Sequence, residues 1–177
     1  MYILQFDGML QLVPEKQSKA GLLGYGWFIL NNNLEAARGF GLFAQRRMAN
    51  SNIAEYLALI EGLEALSDLG IRKAQIEVRG DAKCVIDQMK GIASINSLPI
   101  QKLHRRANRL ANRFDGLTWT WVPRKENKLA DKLSRRGLRQ LHTMPDAYQD
   151  AMRQLNVSPA ERGGLISLID LRVYGPC

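Results

Sequence analysis

Two cysteines among 177 residues, Cys84 and Cys177, make neither a disulfide framework nor a paired metal motif, and both are expected as free thiols. Histidine is as scarce. His104 and His142 lie in basic, helical surroundings that predict surface positions. No apolar run approaches the roughly 20 residues that span a bilayer, and the opening MYILQFDGML lacks a basic region, a long apolar core and a cleavage site. A cytoplasmic chain with no membrane partner is expected. There is no internal repeat or low-complexity segment, and 46% hydrophobic with 24% charged residues is the composition of a folded domain with an ordinary core.

Acidic residues are also in deficit, 17 against 25 Lys and Arg, for a net charge of +8. The imbalance is local. Residues 98 to 139 hold 12 Lys and Arg against 3 Asp and Glu, an excess larger than that of the whole chain. A segregated basic patch of this size favours a polyanionic partner such as nucleic acid over a merely solvated helix face.

Alternation predicts a first strand over residues 2–10, with Tyr2, Leu4 and Phe6 on one face and Ile3, Gln5 and Asp7 on the other. A second strand follows over 21–30, and a third over 35–43 after the turn at Asn31, Asn32 and Asn33, whose residues tolerate positive φ. Residues 52–66 predict a helix with Ile53, Tyr56, Leu57, Ile60, Leu63 and Leu66 inward and Glu61 and Glu64 on the wet face. Beyond Gly70 come a short strand at 74–78, a helix ending near Gly91, a basic amphipathic helix from Ser97 to Phe114, and a strand at 117–122. Trp119 and Trp121 on that strand read as core rather than stacking platforms. A last helix runs from a cap at Asn127 to about Leu141. Helical crossovers imply parallel strands, so this order describes an α/β fold: a mixed five-stranded sheet, three antiparallel strands then parallel ones, flanked by helices.

Four acids sit where a purely structural role fits poorly: Asp7 inside a strand, Glu55 at a helix start, Asp81 at a strand end and Asp131 on an inward helical spacing. For Glu55 alone a capping box with Asn52, three residues earlier, is an open alternative. If the first and fourth strands are neighbours, all four acids meet at one sheet edge. Carboxylates so gathered need cations, and an all-oxygen donor set without His or Cys suits Mg²⁺ or Mn²⁺, two ions per site about 4 Å apart.

Four stretches in order, FDG at 6–8, NSNIAEYLALIEGL at 50–63, VRGDAKCVIDQMKG at 78–91 and WVPRKENKLADKLS at 121–134, resemble the ribonuclease H family, in its compact type 1 branch, over about residues 1–140. The resemblance implies a metal-dependent endonuclease that cuts the RNA strand of RNA/DNA hybrids. It implies that Asp7 bridges both metals, that Asp131 binds the ion activating water, and that Glu55 and Asp81 bind the ion at the leaving oxygen. Asn52 matches a residue that contacts the minor groove, and Asn127 the polar residue one turn before the last Asp. Arg105, Arg106, Arg109, Arg124, Lys125 and Lys128 complete the expected nucleic-acid surface.

The chain departs from the family pattern at Met9, Asn50, Ser51 and Ala82, and it has no histidine between Trp121 and Asn127, where Arg124 or Lys125 stands in. No hybrid-binding module is expected ahead of the first strand. A non-cleaving or weakly cleaving nucleic-acid-binding module of the same fold is therefore the alternative function. Residues 141–177 read as a C-terminal helical extension that starts a helix at Ser158, Pro159, Ala160 and Glu161 and packs Leu165, Ile166, Leu168 and Ile169 back on the domain. A monomer is expected, with a dimer through this tail as the alternative.

Overall fold

The computed structural model describes residues 1–14, 19–156 and 164–175. In chain order they form β1 (Tyr2–Leu12), β2 (Gly21–Asn31), β3 (Leu34–Gln45), α1 (Ser51–Asp68), β4 (Gln75–Gly80), α2 (Lys83–Met89), α3 (Leu98–Ala111), β5 (Gly116–Trp121), a 3₁₀ turn (Arg124–Glu126), α4 (Lys128–Ser134), α5 (Arg136–His142), α6 (Pro145–Asn156) and β6 (Leu165–Tyr174). The strands make one mixed sheet in the order β5-β4-β1-β2-β3-β6. β4 is parallel to β1 and β5 to β4, while β1, β2, β3 and β6 pair antiparallel. The tight β2–β3 turn places Asn32 and Asn33 at φ 48° and 69°, as their residue type allows.

The alternation of β1 divides the molecule into two layers. Leu4 and Phe6 are fully buried under α1, in the larger apolar core that also takes in α2 and α3. Gln5 and Asp7 face the opposite layer, where α4, α5 and α6 pack; the Gln5 amide donates to the Glu126 carbonyl at 3.2 Å. Glycine sets how closely each layer approaches. A Cβ at Gly8 would lie 2.2 Å from the Glu55 backbone nitrogen, and one at Gly26 would lie 2.3 Å from that of Ser134. The two helices thus touch bare backbone on opposite faces of the sheet, next to Asp7.

Several elements differ from the sequence-based expectation. The sheet has six strands, because residues 165–174 extend as β6 along the free edge of β3 instead of coiling. Apolar residues at 165, 166, 168 and 169 suit a helical spacing. The β-branched Ile166, Ile169 and Val173 also suit a pleat, and an open edge decides between them. The tail does pack back on the sheet, while the helix start at Ser158 to Glu161 lies outside the described residues. The last helix is broken at Arg135 into α4 and α5. Trp121 is 46% exposed at the end of the edge strand β5, whereas Trp119 packs on the core. His104 is half-buried against Tyr56 rather than on the surface.

Glu61 is not on a wet face either. It is 8% exposed beneath β6, and Arg172 of that strand bonds Glu61 and, at 3.0 Å each, Glu64 and Asp68. The Tyr174 hydroxyl adds a bond to Asp68, and that of Tyr25 binds Asp170. Among the described residues no helix is long and apolar enough to cross a membrane.

Deleting one partner of a buried ion pair strands the other charge, and this distinguishes the Arg172 cluster from surface pairs such as Arg38–Glu35, which contribute at most ~1 kcal/mol. Arg172→Ala is expected to lower unfolding free energy in denaturant titrations by about 3 kcal/mol, with part of the loss recovered by adding Glu61→Gln. A loss no larger than that of Arg38→Ala would show that β6 is held by backbone pairing alone.

Candidate active site

Parallel pairing of β1 with β4 aligns Phe6 with Gly80, so the next residue of each strand line, Asp7 and Asp81, emerges at the same end of the sheet. α1 starts over this end and brings Glu55 down onto Gly8. Asp7, Glu55 and Asp81 each offer a carboxylate oxygen within 4.8 Å of the others, the one group of its kind among the described residues. Asp7 is 4% and Glu55 8% exposed; Asp81 is half-buried.

Glu55 does not cap its helix. That role belongs to Asn50, whose side-chain oxygen accepts the Asn52 N–H at 2.8 Å. One Glu55 oxygen takes the Gly8 N–H, and Oε2 is buried with no hydrogen-bond partner. Such an orphaned oxygen normally costs free energy unless a ligand answers it.

Burial pushes the Asp7 carboxyl up to about 7; Asp81 and Asp131 add to the rise and the Ser134 hydroxyl opposes it. Burial also holds Glu55 well above the usual carboxylate range, reinforced by Asp7 and Asp81 and opposed by the Gly8 N–H and Arg124. Two buried acids that resist ionising beside each other are a fit for a divalent cation, which would let both keep their charge. Asp7, Glu55 and Asp81 are the residues that would hold it, and their oxygens match a hard ion such as Mg²⁺ or Mn²⁺ better than a thiophilic one.

Asp131 stands apart from this trio. From the first turn of α4 it bonds Arg124 through Oδ1 at 2.5 Å, and Arg135 through both oxygens at 3.1 and 3.2 Å. The Arg135 hydrogen bond, with that of Arg124, outweighs partial burial and lowers its pKa. Three of the expected acids are together, then, while the fourth is neighbour to them and neutralised by arginines.

Asn127 is fully buried and makes no side-chain cap; its amide donates to the Phe6 carbonyl at 2.8 Å and to Asp81 Oδ1 at 2.9 Å. Both of its donors are spent on β1 and Asp81, so in this structure it braces the site. Asn52 is half-buried between α1 and α2, 3.9 Å from Cys84 Sγ. Lys125 and Lys128 are exposed around the start of α4. Arg105, Arg106 and Arg109 are exposed on α3, but that helix runs alongside α1 away from the acids: Arg106 pairs with Glu64, roughly 13 Å of helical rise beyond Glu55. Two residues of the site went unread in the sequence, Ser134 and Arg135. Both lie three or four places after Asp131, the spacing at which helical neighbours meet.

A family model described as reverse transcriptase-like matches residues 6–137. Ribonuclease HI of Halobacterium salinarum is 40% identical over 90 residues, which are 51% of this chain and 44% of that protein. A bifunctional protein of Mycobacterium tuberculosis is 37% identical over 86 residues, 49% of this chain and 23% of its own length. The chain therefore spans less than half the length of the curated relatives it matches. Among solved structures, RNase H1 of Halobacterium salinarum superposes with a TM-score of 0.67 at 32% identity, covering 78% of this chain and 98% of that one. The N-terminal RNase H domain of the mycobacterial protein, solved as a fusion with maltose-binding protein, gives 0.62 at 28% identity over 77% and 97%. The chain belongs to the reverse transcriptase-like family of ribonuclease H folds. Within it, the chain is of the type 1 ribonuclease H kind.

Raised carboxyl pKa values have a defined sign for stability. Asp7 holds a proton in the folded chain that the unfolded chain releases near pH 4, so its contribution is full below about pH 4 and is lost as pH rises through about 7, and Glu55, also raised, acts in the same sense. Asp131 acts in the opposite sense, but only at lower pH. In chelator the melting temperature is expected to fall between pH 5 and 8. Asp7→Asn should flatten that fall and melt higher than the parent at pH 8. Saturating Mg²⁺ should remove the fall in the parent and change the variant less. A parent profile in chelator that rises over this range would contradict the assigned sign.

Proposed function

We propose that the chain is a metal-dependent endonuclease that hydrolyses the RNA strand of RNA/DNA hybrids with two divalent ions. The observation that carries this is the Asp7–Glu55–Asp81 cluster with its orphaned, buried Glu55 oxygen. The name and 40% identity of the archaeal ribonuclease HI support the substrate class. Bound divalent ions supply a Lewis-acid clamp on the phosphate and a water of lowered pKa.

The chain's own residues do the rest. Asp7, held from β1, would be a ligand common to both ions; Glu55 and Asp81 would hold the ion that supplies Lewis acidity to the leaving group, and Asp131 would hold the one that supplies the activated water. Asn127 keeps Asp81 turned to the cluster. Arg124, two-thirds exposed, holds Asp131 until substrate phosphate competes for the guanidinium. Lys125 and Lys128 contact the backbone next to the site, and Arg105, Arg106 and Arg109 extend that surface along α3. Asn52 faces the minor groove, where the 2′-hydroxyl separates RNA from DNA.

A second reading has an observation of its own. Asp131 is tied to Arg124 and Arg135, and a clamp that never releases it would leave a binding module that cleaves weakly. End-labelled RNA/DNA hybrid, RNA duplex and DNA duplex, each incubated with Mg²⁺ or Mn²⁺, separate the two. Cutting confined to the RNA of the hybrid is expected, and an intact hybrid under every condition would leave only the binding module.

Asp131→Asn and Glu55→Gln should each lower cleavage by orders of magnitude while hybrid affinity holds or rises, since a negative charge near the phosphates is gone. Full activity in both would remove the mechanism. Phosphate contacts release counterions, so affinity should fall steeply with salt, and the combined alanine variant of Arg105, Arg106 and Arg109 should flatten that slope. An unchanged slope would assign binding to Lys125 and Lys128.

A further inference from the structure

Ser134 is fully buried on the last turn of α4, and its hydroxyl has one proton and two acceptors in reach: Asp7 Oδ2 at 2.5 Å and the Asp131 carbonyl at 2.8 Å. A helical serine ordinarily returns its proton to a carbonyl of the preceding turn. Here the competing acceptor is the buried Asp7 carboxyl, and it lies at shorter range than the carbonyl. The proton therefore goes to Asp7.

The position of this hydroxyl is set by backbone rather than by a mobile side chain. β2 carries Gly24 and Gly26 beneath α4, where a Cβ would lie 2.2 Å from the Ser134 carbonyl oxygen and 2.3 Å from its nitrogen. Gly26 is also the residue paired with Asp7 across β1 and β2. Serine, aspartate and the bare strand between them form one rigid unit. Within it, Asp7 Oδ2 is tethered towards α4, while the same carboxyl group faces Glu55 and Asp81.

We propose that Ser134 is a positioning residue that acts through Asp7: its hydroxyl orients the carboxylate for a divalent cation and ties β1 to the helix that carries Asp131. This rests on the metal-site reading above. Residues that orient metal ligands typically change cation affinity by tenfold or more when they are removed, which packing alone does not.

The test uses the full chain, stripped of metal and without nucleic acid, titrated calorimetrically with Mn²⁺. Ser134→Ala, smaller than the residue it replaces, is expected to bind about tenfold more weakly than the parent. Its melting temperature in chelator should stay within a few degrees of the parent, and its gain in melting temperature at a fixed, subsaturating Mn²⁺ concentration should shrink. Ser134→Cys, which fills similar space with a weak donor, should also bind more weakly, so the outcome does not depend on one variant folding. Cation affinity within twofold of the parent in whichever variant folds, even with a lowered melting temperature in chelator, would reduce Ser134 to packing and overturn the proposal. A parent that gives no binding heat and no thermal gain would instead sink the metal site itself, and Ser134 with it.

Discussion

Asp7 and Glu55 are carboxylates removed from water within reach of one another, and in such surroundings neither tolerates the other's charge. That tension organises what surrounds them. The chain answers it in part with neutral donors: the Gly8 N–H to Glu55, the Ser134 hydroxyl to Asp7 and the Asn127 amide to Asp81. None of these cancels a charge. The residue of the tension is stored as the raised pKa values and the unanswered Glu55 oxygen. A site held in this condition is primed for a cation, because the ion relieves a cost the fold already bears.

The same constraint explains why glycines cluster here. Donors can reach the carboxylates only if α1 and α4 come nearer to β1 and β2 than side chains permit, and Gly8, Gly24 and Gly26 make that room. Asp131 obeys a different rule. It sits at the rim, half-buried, where long arginine side chains can neutralise it and can also leave, so it need not share the acids' strain. Asp81 is half-buried as well, and what sets Asp131 apart is its pair of arginines.

Much of this was legible in the residues themselves. Short-range signals served well: the alternation of β1, the asparagine turn before β3, the stripe on α1 and Gly70 after it each carry their own local physics. The acids stood out because strand interiors and helix faces rarely bury unpaired carboxylates. Distant partnership was not legible. Nothing local marks Arg172 as the partner of Glu61, 111 residues away, or Asn127 as the brace for Asp81 rather than a helix cap. β6 was misread for a related reason: its apolar spacing suits helix or strand, and the deciding factor, the open edge of β3, lies far away in the chain.

That distance shapes how the molecule is made. Pairing of Ala37 with Tyr174 joins residues that are 174 − 37 = 137 positions apart in the sequence. On the ribosome, β1 to β5 and the acid cluster emerge before β6 exists. Throughout that interval β3 presents an unpaired edge and Glu61 has no guanidinium beside it. The acids can thus come together while the sheet edge that β6 later covers is still open.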